Sequence, residues 1–370
     1  MVLVVRERVA LSGYTTLQLG GPVARFVDAD TPDEIVAAVR GADLASEPVL
    51  VLGGGSNLVV ADTGFAGTVI RVASSGVTVV DGDDGVRVTV AAGENWGQLV
   101  DWAVAEKLSG LECLAGIPGL AGATPIQNVG AYGQEVATVI EAVRVYDRAS
   151  ASISTLTGAE CGFGYRTSLF KISPMSARQA TEPTGRYVVL GVTFRLRRDP
   201  MSAPLRYPEL AVRLGVASDE SAPLADVRAA VLELRRTKGM VLDPADPDTA
   251  SAGSFFTNPV LDHGQFARLE RSVVRRRGSG SSVPHFPADH GRIKVPAGWL
   301  IEQAGFTKGY PGHGAARISS KHTLALTNRG GASTADLIDL AREIVSGVRS
   351  AFGLELMNEP VLVGVTLESR

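Results

Sequence analysis

The sequence predicts an α+β fold with more than one domain. Its 370 residues are enough for two or three domains with ordinary hydrophobic cores. Strand-like and helix-like patterns are mixed along the chain without an internal repeat, and a charged, proline-containing segment at 197–204 interrupts them. We therefore expect an α+β domain followed by a smaller α/β domain.

Helix signals in the first 110 residues are local and specific. Thr31-Pro32-Asp33-Glu34 is a capping box with proline at the first helical position, and it predicts a helix through Arg40. Apolar residues recur at three- and four-residue spacing from Trp96 to Leu108, which predicts an amphipathic helix. Apolar or alternating runs predict strands at 48–52 and 68–72 and a hairpin over 77–92.

The second part of the chain shows the same mixture. Ser333 or Thr334 caps a long amphipathic helix, and Gly353 ends it. The remaining predictions are strands at 143–147, 187–196 and 359–365, and a helix at 224–238.

Two glycine-rich stretches suggest a phosphate-binding function. Residues 53–57 read Gly-Gly-Gly-Ser-Asn, and residues 116–125 carry three further glycines. Glycine lets backbone N–H groups approach a ligand, and consecutive N–H groups form anion-binding concavities. The first stretch has neither the Lys-Ser/Thr of a P-loop nor the third glycine and helix of a Rossmann fingerprint. Either stretch alone could be a set of tight turns, but the pair suggests a diphosphate held from two sides, as in a dinucleotide.

Composition argues against several other functions. The net charge of −3 gives no basic field for nucleic acid, and we interpret Arg275-Arg276-Arg277 as part of a solvated loop. Two cysteines, Cys113 and Cys161, are too few for a disulfide framework or a metal site, so we expect no metal. No signal peptide and no run of about 20 apolar residues is visible. These features predict a cytoplasmic protein without membrane or nucleic-acid partners.

Eight short motifs follow one another in an order that resembles one enzyme family. They are Leu19 to Pro22, Leu52 to Leu58, Ala92 to Trp96, Gly116 to Gly119, Phe163 to Ser168, Gly253 to Pro259, Gly298 to Gln303 and Asn358 to Pro360. Together they resemble the UDP-N-acetylenolpyruvoylglucosamine reductase (MurB) family over nearly the whole chain. Each motif is short, but the ordered set is highly specific.

The resemblance implies both fold and reaction. The expected fold is a two-part FAD-binding domain of the vanillyl-alcohol-oxidase (PCMH) type at 1–199, split near residue 70. A smaller α/β substrate-binding domain would span 200–352, and a strand within 353–370 would return to the first domain. The implied reaction reduces UDP-N-acetylglucosamine enolpyruvate to UDP-N-acetylmuramate, a peptidoglycan precursor, with NADPH as hydride donor and non-covalent FAD as cofactor.

Three catalytic residues are implied by the family motifs. Arg166 matches the arginine that binds the substrate carboxylate and stays charged throughout. Glu359 matches the acid that helps stabilise the enolate, a role that requires a raised pKa. Ser254 matches the proton donor, with Ser251 as its competitor three positions earlier. We expect Arg166, Glu359 and Ser254 to converge in the fold.

Binding residues follow from the same motifs. Tyr207 resembles the substrate-covering tyrosine of one of the two family classes. The predicted substrate contacts are Tyr165, Tyr207, Lys238, Asn258 and Gln303. The predicted FAD contacts are Gly53, Gly54, Gly55, Ser56, Asn57, Gly116, Ile117, Pro118, Gly119, Gly122, Ala123 and Thr124.

Two alternatives remain beside the reductase. One is an oxidase of the wider flavin family, in which the Ser254 and Glu359 motifs are not expected together. The other is a nucleotide-binding regulatory module, which would be colourless and inert to NADPH. The residues do not establish a preference for NADPH over NADH. They also leave open the oligomeric state, for which we expect a monomer, and the roles of the loops at 173–185 and 275–290.

Overall fold

The computed structural model describes residues 3–174 and 176–367. Residues 1, 2, 175 and 368–370 belong to the predicted ranges 1–199, 173–185 and 353–370, and they lie outside the described residues. The helices of the described chain are α1 (Pro32–Leu44), α2 (Trp96–Ala105), α3 (Pro208–Leu214), α4 (Leu224–Thr237), α5 (His263–Arg277), α6 (Ala297–Gln303) and α7 (Thr334–Phe352).

The helix-end signals of the sequence are confirmed at two helices. In α1 the Thr31 side chain accepts from the Glu34 backbone N–H and the Glu34 side chain accepts from the Thr31 backbone N–H, so the capping box is complete. At α7 Ser333 forms the corresponding box, and Gly353 ends the helix at φ +67°.

Two predictions about local structure, a helix through Leu108 and a loop at 275–277, were wrong. α2 stops at Ala105 because Lys107 turns the chain at φ +59°, and Leu108–Ser109 then pairs as a short strand with Arg197–Arg198. The predicted solvated loop at 275–277 is instead the last turn of α5. Three exposed arginines there lie at the carbonyl end of the helix, where the helix dipole favours positive charge.

The first sheet lies in the N-terminal part of the chain. Three of its strands pair in parallel, and the apolar run at 49–52 is largely buried on both faces, as is usual for a strand of a parallel sheet. Two short antiparallel strands extend it at one side. In chain order the strands are Val5–Arg6, Val9–Ala10, Pro22–Ala29, Val49–Leu52 and Phe65–Val72.

The second sheet is antiparallel and begins after residue 72. Its long central strand, Tyr187–Arg198, pairs with the inner strand of the predicted hairpin and with Ile140–Asp147. The other hairpin strand is exposed along its whole length, as an edge strand of alternating sequence can be. The strands are Val77–Gly82, Gly85–Ala91, Leu108–Ser109, Ile140–Asp147, Ser152–Thr157 and Tyr187–Arg198.

Two small antiparallel sheets lie in the C-terminal part. One contains Ser251–Ser254, Ala316–Ile318 and Ala325–Asn328, and the other contains Val260–Leu261, Phe286–Pro287 and Ile293–Lys294. Gly130–Ala131 and Gln134–Glu135 form a further short hairpin. The last strand, Val361–Val363, is shorter than the prediction and pairs in parallel with Leu58–Val60. The chain therefore returns to its N-terminal part.

The hydrophobic cores bear on where the two domains divide. Leu205, Leu210, Val227 and Val231 are buried in the core that contains the second sheet. The core of the C-terminal part includes Ala252, Phe255, Phe256 and the apolar face of α7. A boundary at residue 200 would cut the first of these cores, so we propose that the substrate-binding domain begins after α4.

Candidate active site

One large cavity lies between the N-terminal and C-terminal parts of the chain. Its volume is about 490 Å³. Its walls come from the loop at 53–58, the stretch at 117–124, the strand Ser251–Ser254 and the segment containing Glu359. A cleft between structural units, lined by glycine loops and a few polar groups, is a usual form for a cofactor and substrate site.

The two glycine stretches contact each other directly. A Cβ atom added to Gly54 would lie 2.8 Å from the Cα atom of Gly119. The Ser56 hydroxyl donates a hydrogen bond to the Pro118 carbonyl at 3.0 Å. Glycine at both places therefore permits a close approach that a side chain would prevent.

The first loop presents free backbone donors. Gly55 adopts φ +60°, and a Cβ there would overlap the Tyr14 carbonyl. The backbone N–H groups of Gly54, Gly55 and Ser56 donate to no acceptor within 3–174 and 176–367. Clustered free N–H groups on a left-handed turn suit an anionic diphosphate, so the loop fits a dinucleotide.

Ten of the twelve predicted cofactor residues line this cavity. Gly116 and Gly122 do not, and packing explains why both are glycine. A Cβ on Gly116 would lie 2.7 Å from Leu232 of α4, and one on Gly122 would lie 2.5 Å from the Cβ of Ala92. The cavity-lining residues of the prediction are Gly53, Gly54, Gly55, Ser56, Asn57, Ile117, Pro118, Gly119, Ala123 and Thr124.

Arg166 is held rigidly at the cavity wall. Its backbone adopts φ +53° in a tight turn in which Gly164 and Thr167 bond to each other. Its guanidinium donates to the Gly130 carbonyl at 2.7 Å, and its Nε lies 3.3 Å from a Glu359 carboxylate oxygen. The side chain is 21% exposed, so a cation fixed by several acceptors faces the cavity.

Glu359 is brought to Arg166 by strand-like pairing. Its backbone N–H donates to the Phe255 carbonyl at 2.8 Å, and Asn358 and Phe256 form a bridge. Its side chain is 13% exposed. Burial raises the pKa of the Glu359 carboxyl, while the Arg166 and Lys171 cations oppose that shift. The raised pKa is the property that the proposed catalytic role requires.

Ser254 ends a short strand whose following residue, Phe255, contacts Glu359. It precedes Phe255, whose carbonyl binds the Glu359 N–H, and it lines the same cavity as Arg166. Its hydroxyl makes no hydrogen bond to another of the described residues. The competitor Ser251 also lines the cavity, but its hydroxyl already accepts from the Gly253 N–H at 3.2 Å.

Two of the predicted substrate residues lie in the cavity wall. The rings of Tyr207 and Tyr132 pack edge to face, with their centroids 5.2 Å apart. The Lys238 ammonium lies 5.7 Å from the Tyr132 ring centroid and 2.6 Å from a Glu209 carboxylate oxygen. Aromatic and cationic groups thus share one end of the cavity.

The other three predicted substrate residues do not line the cavity. The Tyr165 hydroxyl accepts from the Asn258 N–H at 3.3 Å. The Asn258 side-chain oxygen accepts from the Ala297 N–H at the start of α6, which gives it a structural role there. Gln303 is the last residue of the same helix.

Several cavity residues carried no sequence signal. Lys171 and His322 are such residues, and Arg235 lies in α4, where its burial lowers the pKa to about 10. Pro183, Thr184 and Gly185 from the loop at 173–185 also line the cavity. In a sequence, a single basic residue in a helix or loop is typical of the protein surface. Only the fold shows that these residues line the cavity.

The described residues contain neither a metal site nor a helix that could cross a membrane. Within 3–174 and 176–367, no three acidic, histidine or cysteine side chains gather as a metal site. In the same residues, none of the helices combines the length and the apolar character that a bilayer crossing needs. Cys113 and Cys161 are both free and buried.

The chain is similar to known proteins over its whole length. Residues 244–363 match a family model described as "UDP-N-acetylenolpyruvoylglucosamine reductase, C-terminal domain", and residues 23–157 match an FAD binding domain. The chain is 57% identical to the UDP-N-acetylenolpyruvoylglucosamine reductase of Thermobifida fusca, with 98% of each chain covered. It is 54% identical to that of Streptomyces avermitilis, with 96% of this chain and 94% of that protein covered.

A solved structure has the same overall fold. The crystal structure of UDP-N-acetylenolpyruvylglucosamine reductase (MurB) from Thermus caldophilus matches with a TM-score of 0.63 and 27% sequence identity. The match covers 98% of this chain and 99% of that chain. The similarity therefore includes both the N-terminal and C-terminal parts that form the cavity.

Proposed function

Because the chain belongs to the UDP-N-acetylenolpyruvoylglucosamine reductase family, we propose that Arg166, Glu359 and Ser254 perform the second half of its reaction. The protein is an FAD-containing oxidoreductase with the two-part FAD domain of the vanillyl-alcohol-oxidase type. It uses NADPH to reduce UDP-N-acetylglucosamine enolpyruvate to UDP-N-acetylmuramate in peptidoglycan precursor synthesis. The ion pair between Arg166 and Glu359, beside Ser254 in one cavity, is the observation that carries the proposal.

We assign the FAD diphosphate to the two glycine loops that meet at Gly54 and Gly119. When bound, FAD supplies the hydride transfer from NADPH to the substrate. The free N–H groups of Gly54, Gly55 and Ser56 would bind phosphate oxygens. Asn57 positions this loop, since its side chain donates to Gln127 at 2.7 Å and its carbonyl accepts from the Val361 N–H.

Arg166 and Glu359 manage the charge that develops on the substrate. Hydride addition to the enolpyruvyl double bond moves negative charge onto the adjacent carboxylate, which becomes an enolate. A guanidinium that is already fixed by the Gly130 carbonyl can bind this group without reorganisation. Because burial favours the protonated form of Glu359, its carboxyl can donate a hydrogen bond to the same oxygen.

Ser254 completes the reduction by protonating carbon. The hydride has added to one carbon of the double bond, so the other carbon needs a proton. We assign that proton to the Ser254 hydroxyl, which belongs to a cavity-lining residue and makes no hydrogen bond to the part of the chain that the structure describes. Serine is a weak acid, but an enolate carbon is basic enough to take its proton, and Ser254 recovers a proton from solvent.

Substrate recognition is assigned to the aromatic and basic end of the cavity. Tyr207 would cover the bound substrate, and Lys238 would neutralise a phosphate as a point charge. Tyr165, Asn258 and Gln303 do not line the cavity, so their contact with the substrate stays a prediction.

The two buried free cysteines fit a reducing cytoplasm, where we place the reaction. The monomer stays an expectation.

Replacement of Ser254 by alanine tests the proton-donor role. The Ser254→Ala enzyme should bleach with NADPH at the normal rate under anaerobic conditions. Recovery of flavin absorbance on addition of UDP-N-acetylglucosamine enolpyruvate should slow by about 10²–10⁴-fold, because one positioned proton donor is lost. Stopped-flow spectroscopy of the two additions measures both rates.

Ser251→Ala is the matched control for this experiment. It removes a hydroxyl from the same strand and the same cavity, and its recovery rate should stay within about threefold of the unchanged enzyme. Normal recovery in Ser254→Ala together with slow recovery in Ser251→Ala would transfer the role to Ser251. Normal recovery of flavin absorbance in both variants would show that neither Ser254 nor Ser251 is the proton donor.

A further inference from the structure

Lys171 connects the backbones of two residues placed in the active site. Its Nζ donates to the Arg166 carbonyl at 3.3 Å and to the Glu359 carbonyl at 3.2 Å. The side chain is mostly buried and lines the same cavity. One ammonium group therefore bridges a loop of the FAD domain and the returning C-terminal segment.

Both carbonyls belong to segments that need an external constraint. Arg166 adopts φ +53°, a left-handed conformation that is unfavourable for a residue with a Cβ atom. Glu359 lies in the irregular chain between α7 and the strand Val361–Val363. A buried lysine is itself costly unless its donors are used, so its presence here calls for a specific role.

We propose that Lys171 is a positioning residue that fixes the Arg166–Glu359 pair for the second half of the reaction. This inference rests on the roles proposed above for Arg166 and Glu359. The hydrogen bond to the Arg166 carbonyl supports the left-handed turn, and the bond to the Glu359 carbonyl sets the distance between the two segments. The ammonium does not need to contact substrate for either effect.

The charge of Lys171 also acts on Glu359. Among the described residues, the charged and titratable groups that face Glu359 are Arg166, Lys171 and Tyr165, and the strand Ser251–Ser254 adds none. Burial lowers the pKa of Lys171, while the Glu359 carboxylate raises it and Arg166 lowers it further. Removal of the ammonium leaves Arg166 as the cation that stabilises the carboxylate, so the pKa of Glu359 rises further.

The test compares Lys171→Met with Lys171→Arg in FAD-loaded enzyme. Single-turnover recovery of flavin absorbance is measured with UDP-N-acetylglucosamine enolpyruvate across a range of pH. Lys171→Met should recover about 10–100-fold more slowly, and the limb of the pH profile that reports Glu359 should move to higher pH. Lys171→Arg keeps the charge, so it should recover part of the rate and keep the limb of the pH profile at its original pH. Lys107→Met removes an exposed lysine and should change neither quantity.

A structural role alone would change stability without moving the pH limb. If Lys171→Met does not fold, Lys171→Gln, which keeps one donor and loses the charge, is measured in the same way. An unchanged limb in the folded variant would overturn the inference. Glu359→Gln separates the two proposals, because it should abolish the limb. If the limb of the pH profile persists in Glu359→Gln, the proposed role of Glu359 is refuted. If the limb is lost in Glu359→Gln but keeps its position in Lys171→Met, only the proposed role of Lys171 is refuted.

Discussion

Arg166 and Glu359 form an ion pair that is mostly removed from water, and such a pair is not an efficient source of stability. Desolvation of two charges costs several kcal/mol and often cancels their attraction. Here burial raises the pKa of Glu359, so the ionised pair is weakened further. The arrangement places a cation beside an acid whose pKa is raised, and both can stabilise the negative charge of an enolate.

Gly54 gives a test at the scale of a single residue. Gly54→Ala should weaken FAD binding by at least about tenfold, because its Cβ would lie 2.8 Å from the Gly119 backbone and push the two loops apart. Fluorescence titration of the apoprotein with FAD measures the affinity. Gly13→Ala is the control, since a Cβ at Gly13 meets no atom within 4 Å. Equal affinities in the two variants would show that this close approach does not shape the site.

At the scale of elements, short segments rather than long helices place the reacting groups. Ser254 ends a four-residue strand, and Glu359 is held by hydrogen bonds to the residues that follow that strand. Arg166 lies in a tight turn beside the short hairpin at 130–135. The helices form the packed surroundings of these segments, so their own stability can be changed without altering the chemistry.

We predict opposite stability changes for a glycine inside a helix and for one that ends a helix. Gly41 lies within α1 with open space at its Cβ position, so Gly41→Ala should stabilise the protein by about 0.5–1 kcal/mol. Gly353 also has open space, but its φ is +67°, so Gly353→Ala should destabilise by about 1–2 kcal/mol. Urea denaturation measures both changes in the free energy of unfolding. Changes of the same sign would contradict the assigned backbone conformations.

At the scale of the whole molecule, the last strand joins two cores. Leu362 is buried in the core of the C-terminal part, and Val363 is buried in the core around the first sheet. The alternation of side chains along a strand allows adjacent residues to enter different cores. The same segment delivers Glu359, so folding of the C-terminal part and completion of the active site are coupled.

Truncation of Leu362 tests this coupling. Leu362→Ala should lower the free energy of unfolding by about 2–5 kcal/mol and weaken FAD binding, because a buried side chain is removed from the connecting strand. Leu44→Ala removes the same atoms from a site that is 79% exposed, and it should cost about 0.5 kcal/mol or less. Denaturation followed by tryptophan fluorescence and flavin absorbance measures both effects. A large stability loss with unchanged FAD affinity would show that the cores and the site are independent.

The sequence by itself determined most elements, the two glycine loops and the family. Capping boxes, apolar periodicity and turn glycines are local signals, and each depends on residues within a few positions of one another. The family motifs predicted that Arg166 and Glu359 converge, but only the tertiary structure showed their direct ion pair, the Lys171 ammonium that bridges their backbones, and the packing of α4 in the core of the second sheet. These contacts join segments that are distant in the sequence. They depend on strand register and core packing, and a local sequence pattern carries no information about either.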